Sequence, residues 1–600
     1  MVYETSYETG LRPFVPDTNR GHWSSPSDFI YAGIALVFRM DFFAMSWFFS
    51  LEFTDTAIIP TYLITLAIYT IPLMVIQSFM GQFSSSSYIS AFRIAPLFKG
   101  IGYITLAINL CVIMYYSIFA VLPLVYMFAS MQPTMPWSCE GLKKWAVNLT
   151  KEEEINLCNI KFENATDDDS GSNNDTMNEY INHHIPSVLY LKTIFNDQNL
   201  FESYDLEFTM SWQLVICSIL LWSIVAFVIY KFFDAEKMGQ LIRYSVRVFI
   251  CLLVICLIRF SFLPGAGAVY RKVIIPPWVN YIHGITMIPI YGLSAFGPGW
   301  GLFITLSSFN KFKTNIKKTS WIIGLAQMFI IVAISLLTHL TERYFKEVTD
   351  NNYYSRVERI LTLYLSSGSV MVDMAWANLW SILFFFMLFL GATLLIIIQL
   401  FSTLTTIFDE FATLRERKTD ICMMVTGAVA LCSLYFTSNH GVTYFSVIWT
   451  DSNITQNAIN LLLLLVVLWI YGRIRFQRDI EFMIKDRFST WQVNFLRFVV
   501  PLFMLLALLA AIAIASMEHA IAIPGIQFIC IIFVLLPWIF IPFYAIRSMY
   551  QGIGTLKTRF QHCCRPNDWY PVDAEDRQRY EVAMGNTDAT HHLNEVTEEM

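Results

Sequence analysis

The chain has 600 residues, 56% of them hydrophobic and 16% aromatic, and only 14% charged. A soluble domain of ordinary composition carries about 25% charge, so this chain cannot cover its apolar surface with polar side chains, and lipid is its natural solvent. The net charge of −6 is small for this length and offers nothing to a nucleic-acid partner.

Residues 1–28 are polar and carry charge and proline, and the first apolar segment starts near Phe29. A cleavable signal would place its apolar stretch nearer Met1, so the leader reads as a cytoplasmic tail. A bilayer-crossing helix needs about 20 mostly apolar residues. Candidate spans follow at 29–51, 57–80, 101–129, 210–231, 245–263, 285–308, 319–340, 376–408, 420–437, 455–471, 492–516 and 525–548. Backbone amides inside a bilayer must be paired internally, and the period-2 alternation of a barrel is absent, so helices are the expected form. The expected fold is an all-α polytopic membrane protein of about 12 transmembrane helices. Its membrane domain covers 29–548, and a polar tail covers 549–600.

Charge orients these spans. Lys231, Lys237 and Arg243 follow span four, and Lys311, Lys313, Lys317 and Lys318 follow span six. Arg415, Arg417 and Lys418 follow span eight, and Arg473, Arg475, Arg478, Lys485 and Arg487 follow span ten. All are even-numbered exits, so the positive-inside rule puts this side, and both termini, in the cytoplasm. The long loop at 130–209 falls on the other side. It is acidic, with Asp167, Asp168 and Asp169 in a row, and it carries glycosylation sequons at Asn148, Asn164 and Asn174. Cys139 and Cys158 share this oxidising loop and are expected to form a disulfide. The sequons favour the secretory route and a plasma-membrane address.

Two spans hold polar features that lipid makes costly. Arg39 and Asp41 lie near the middle of span one. An ionisable group at that depth costs about 2.5–3.5 kcal/mol, so each must face a cavity or a partner. Two residues apart on a regular helix they do not face one another. Either the backbone is irregular and they meet, or each finds another partner; a structural ion pair and a solute site are both open readings. In span six, Gly297, Pro298 and Gly299 interrupt the helix within Ser294–Gly301. A helix broken at membrane depth is the sequence mark of a secondary transporter's binding site. No phosphate-binding loop, metal-ligand cluster or nucleophile–base set is present, so an enzyme is not expected. The tail after about residue 550, with Asp573, Glu575 and Asp576 close together, reads as a solvated surface.

Several segments carry a resemblance. They include Arg20-Gly21-His22-Trp23, Gly81-Gln82, Pro96 through Tyr103, Tyr115-Tyr116 and Pro136-Trp137-Ser138-Cys139. Further along come Arg259 with Leu263 through Ala266, Phe296 through Gly301, and Ser308 through Phe312. The last are Trp380 through Gly391, Asp409-Glu410-Phe411, Tyr471-Gly472 and Pro566 through Pro571. Together they resemble the neurotransmitter:sodium symporter family, whose members carry amines and amino acids. The resemblance implies an inverted five-plus-five helix repeat with two further helices, and a substrate site between broken helices one and six, lined also by three and eight. It puts Arg39 where amine carriers place an aspartate, matches Tyr116 to a substrate-contacting tyrosine, and puts Ser294 on a pocket aromatic. Arg20, Trp23 and Asp409 match the family's cytoplasmic gate.

The departures fall at the ion sites. Family sodium ligands fall on Phe42, Ala295, Gln327, Leu394 and Leu395. Of the chloride ligands Tyr62 survives, while the others fall on Tyr291, Ala295, Ile331 and Gln327, and the outer-gate arginine falls on Met45. No cofactor is expected, both ion sites look dismantled, and the coupling ion stays open. The expected function is carriage of an amino acid or small amine, either with the solute carboxylate on Arg39, its amine on Asp41 and transport sodium-independent or proton-linked through Asp41, or, as the resemblance alone implies, by ordinary sodium coupling through unusual ligands. The alternative is a transport-inactive relative acting as a sensor or partner subunit. The expected partners are a small-molecule solute and lipid. Oligomeric state is not readable.

Overall fold

The computed structural model describes residues 3–17, 19–44, 58–138, 140–141, 144, 186–196, 208–274, 299–349, 362–372, 374–443, 445–521 and 536–583. Among the described residues there is no sheet, only isolated bridges between Glu4 and Asn567 and between Met210 and Ser438. The chain is all-α. Two short helices, α1 (Pro26–Ala35) and α2 (Met40–Ala44), come first. Then follow α3 (Tyr62–Ser84), α4 (Pro96–Ala129), α5 (Trp212–Phe232) and α6 (Ala235–Phe260). The short α7 (Leu302–Ser307) precedes α8 (Ile316–Thr341), α9 (Ala377–Glu410), α10 (Ala412–Thr437), α11 (Asp451–Ile484) and α12 (Thr490–Ala513). The tail forms α13 (Phe540–Gln551), α14 (Leu556–Cys563) and α15 (Ala574–Ala583).

Among the described residues nine helices are long and apolar enough to cross a membrane. They match nine of the predicted spans. The other three, at 29–51, 285–308 and 525–548, each run into residues outside the described ones. The boundary of span ten moves most. The sequence places its start at 455, but helix begins at Phe445. Asp451, Asn453, Gln456, Asn457 and Asn460 fill this stretch, and all are buried. Hydropathy fails there because the helix faces protein rather than lipid.

The broken first span has an identifiable construction. Ser25 caps α1 through a capping box with Asp28, and Pro26 occupies the first turn. The helix ends without glycine or proline. Arg39 N donates to Val37 O at 2.6 Å and Met40 N to Phe38 O at 3.1 Å, spacings too short for an α-helix. Close approach elsewhere is set by Gly81, where a Cβ would stand 1.9 Å from the Ile304 carbonyl oxygen; only glycine lets α3 and α7 touch there.

The C-terminal tail departs from the expected solvated surface. Asp573 and Glu575 are exposed, yet Trp569, Tyr580 and Glu581 are buried. Glu4 N donates to Pro566 O and Asp568 N to Glu4 O, each at 2.8 Å, and the Tyr3 hydroxyl donates to Glu581 at 2.6 Å. The two tails therefore clasp one another.

Candidate solute site and cytoplasmic gate

Arg39 and Asp41 meet. Arg39 Nε donates to Asp41 Oδ1 at 2.8 Å and Nη2 to Oδ2 at 2.6 Å. Their exposures are 1% and 0%, so two full charges sit in the protein interior. The fork-to-fork geometry is the strongest form such a pair takes, and only the break between α1 and α2 allows it at this spacing. The Tyr116 hydroxyl, from α4, spans the break. It donates to Phe38 O at 2.5 Å and accepts from Met40 N at 3.1 Å, satisfying backbone groups that unwinding exposes.

Two tryptophans complete the enclosure, and sequence reasoning did not pick out either as a site residue. The Arg39 guanidinium lies 4.1 Å from the Trp300 ring centroid. Trp300 holds a left-handed backbone at φ 60, a conformation costing about 1–3 kcal/mol for a bulky residue. Asn109, from α4, donates to the Trp300 carbonyl at 2.9 Å and fixes it. Trp449 donates from its indole nitrogen to Asp41 Oδ2 at 3.0 Å. Trp449 precedes the polar run of span ten, which is why hydropathy left it outside the membrane helix. Of the residues singled out in span six, Gly299 opens the turn Gly299–Gly301 that carries Trp300. Ser294, Gly297 and Pro298 lie outside the described residues, as do Cys139, Cys158, Asn148, Asn164 and Asn174.

The ion-site positions carry apolar or self-satisfied groups. Phe42, Leu394 and Leu395 are buried hydrocarbon, and Ile331 is buried too. Gln327 donates from Nε2 to the Gly33 carbonyl at 2.6 Å. Tyr62 is fully buried, while Tyr291, Ala295 and Met45 lie outside the described residues. Among the described residues no three His, Cys, Asp or Glu side chains gather as a metal site.

A second pair lies at the face carrying the basic loops. Arg20 Nη1 stands 3.0 Å from Asp409 Oδ2. Arg20 also donates to Ser85 O at 2.5 Å, Ser308 Oγ at 2.6 Å and Ser87 Oγ at 3.0 Å. Asp409 accepts from Ser87 N at 2.8 Å. Burial pulls the Arg20 guanidinium below its ordinary pKa, and Asp409 opposes that. The Trp23 indole donates to Leu306 O at 2.9 Å, seating the same segment on α7. Nearby, Arg415 Nη2 donates to Val15 O at 2.9 Å and Lys418 pairs with Asp17 at 3.0 Å. Burial works against the Asp17 carboxylate, but Lys418 outweighs it and holds its pKa low. The N-terminal segment is thus fastened along its length.

The Sodium:neurotransmitter symporter family model matches residues 20–552, most of the chain. This chain belongs to that family. Among its curated symporter relatives is the sodium- and chloride-dependent neutral and basic amino acid transporter B(0+) of Homo sapiens, 27% identical over 96% of this chain and 94% of the relative. The sodium- and chloride-dependent glycine transporter 2 of Xenopus laevis is 27% identical over 94% of this chain and 73% of its own length. The sodium-dependent acetylcholine transporter of Caenorhabditis elegans is 25% identical over 76% and 66%. The protein is therefore a secondary-transporter-like member of a symporter family, and none of these relatives favours the sensor reading.

Proposed function

We propose that this symporter-family protein carries an amino acid or a small amine across the plasma membrane, and that it receives the solute at the helix break. A solute carboxylate takes Arg39 and a solute ammonium takes Asp41. The buried Arg39–Asp41 pair is the observation that carries the reading. A zwitterion brings the same two charges, so it replaces each partner without leaving either ion alone. An unpaired buried ion costs about 3–5 kcal/mol, which makes such an exchange the accessible route to opening the pair. The relatives, which include amino-acid, glycine and acetylcholine transporters, support this solute class.

Coupling is proposed to run without the family's sodium ligands. A hard cation needs several oxygens. Phe42, Leu394 and Leu395 supply none from their side chains, and Gln327 already occupies the Gly33 carbonyl with an N–H. The residues present do not fit the ion. The Arg20–Asp409 pair serves as the cytoplasmic gate, with Trp23 as its wedge and both termini cytoplasmic. A Cys139–Cys158 disulfide and glycans on Asn148, Asn164 and Asn174 belong to the same reading. The test is uptake of radiolabelled amino acids and amines into proteoliposomes, with sodium replaced by choline. Equal uptake in both media is expected. Full sodium dependence overturns the coupling proposal, and no uptake of any solute overturns the carrier proposal.

A further inference from the structure

A cavity of about 610 Å³ lies where the end of α11, α12 and α14 meet, far from the solute site along the chain and in character. Arg473, Arg475, Arg497 and Arg565 line it, with Trp469 and Phe560, and no carboxylate is among its lining residues. The Arg497 guanidinium lies over the Trp469 ring, 3.9 Å from its centroid, and its buried Nε has no hydrogen-bond partner. Among the described residues Arg473 donates to Asn494 Oδ1 alone, at 3.4 Å. Among the described residues no carboxylate stands within ion-pair distance of Arg473, Arg475 or Arg497. Arg565 shares its charge with Glu4 at 3.1 Å, at the edge of the tail clasp.

The walls are shaped for an occupant. The facing stretches Val466–Gly472 and Phe495–Val499 are both π-helical, a rare widening found frequently at functional sites, although Leu66–Thr70 away from the cavity is π-helical too. Gly472 turns the chain at φ 99, and nothing lies within 4 Å of where its Cβ would stand. On the outer side, Trp469, Ile470, Phe498 and Leu502 form exposed apolar surface of the kind that faces acyl chains. The basic stretch that begins at the end of predicted span ten carries Arg473 and Arg475 within α11 and lies on the face that charge asymmetry assigns to the cytoplasm.

We propose that this cavity binds the multiply phosphorylated headgroup of an anionic bilayer lipid. The guanidinium fork matches phosphate oxygens in pairs. Unbalanced positive charge from several arginines exceeds what a monoanionic headgroup neutralises. The adjoining apolar strip supplies a bed for the acyl chains, which a soluble phosphate does not use. Basic pockets between membrane helices on the cytoplasmic side recognise such headgroups.

The test uses the full chain, purified and reconstituted with phosphatidylcholine containing either a phosphatidylinositol bisphosphate or a charge-matched amount of phosphatidylserine. Lipid retained through delipidation is read by native mass spectrometry, and Tm is read alongside. The bisphosphate lipid is expected to be retained and to raise Tm, and phosphatidylserine is not. The double variant Arg473→Gln/Arg475→Gln is expected to weaken retention about thirtyfold, at roughly one surface-arginine contribution each. Lys485→Gln/Arg487→Gln removes the same charge from the same loop outside the cavity and is expected to leave retention unchanged. Equal retention of phosphatidylserine, or equal losses in the two double variants, overturns the site. Soluble inositol trisphosphate binding as tightly as the lipid overturns the assignment to a bilayer source. Uptake does not enter this test, so its outcome is separable from that of the transport proposal.

Discussion

Two arginine–aspartate pairs, the half-buried Arg20–Asp409 and the fully buried Arg39–Asp41, differ in what can open them. Arg20 and Asp409 come from opposite parts of the chain, the N-terminal segment and the end of α9. Moving those elements apart separates the charges and delivers both to water at the basic face. Arg39 and Asp41 come from a single helix break, two residues apart. No rigid-body motion of one helix against another parts them, and both side chains are buried. A gate pair opens by motion, whereas a local pair at the centre opens only for a replacement ligand. That contrast is the reason for proposing conformational control for the first pair and recognition for the second.

The contrast breaks first at the inner pair. Either Arg39→Ala or Asp41→Asn strands one buried charge and is expected to cost about 3–5 kcal/mol in reversible unfolding in mixed micelles. Uptake is expected to vanish even where surface expression survives. At the gate the loss is smaller, because water and Ser87 remain for the freed group. Asp409→Asn is expected to cost about 1–3 kcal/mol. Trypsin should then cut after Arg20 about tenfold faster, since the N-terminal segment detaches more often. An unchanged cleavage rate would show that other fastenings, such as Arg415 with Val15, dominate.

Smaller effects sharpen the picture of the break itself. Tyr116→Phe removes the hydroxyl that links Phe38 O and Met40 N, and about 1–2 kcal/mol of stability is expected to go with it. The half-saturating solute concentration should rise, because the break loses its brace. Gln327→Leu removes one of two donors to the Gly33 carbonyl, which keeps Leu36 N at 3.3 Å, and about 1 kcal/mol is the expected cost. Its sodium response should stay flat, since the hydrocarbon at Phe42, Leu394 and Leu395 is untouched. A sodium response gained by any of these variants would count against the coupling proposal.

Much of the architecture was legible because lipid imposes a simple rule on sequence. Hydropathy marked the nine long helices, missing mainly the buried polar start of α11. Composition alone cannot distinguish a polar helix facing protein from a loop. Within the site, insertion cost singled out Arg39 and Asp41, but pairing depends on a break that no glycine or proline announces in Leu36-Val37-Phe38-Arg39. Trp300 was hidden because an aromatic in a membrane segment is ordinarily packing, and Trp449 because it precedes the polar run that hid the start of the helix. The packing of Trp569 and Tyr580 against Phe83 of α3, with Tyr580 donating to Asp479 of α11, was out of reach, because it joins segments far apart in the chain and leaves no local periodicity.

The most direct measurement compares the stability and uptake of Arg39→Met/Asp41→Leu with those of the native protein. Replacing both ions by hydrocarbon of similar bulk strands no charge, so folding stability should return to within about 1–2 kcal/mol of native. Uptake should remain absent, because the solute's charges then meet nothing. A double variant that folds and still transports would contradict the assignment of these two residues to the solute.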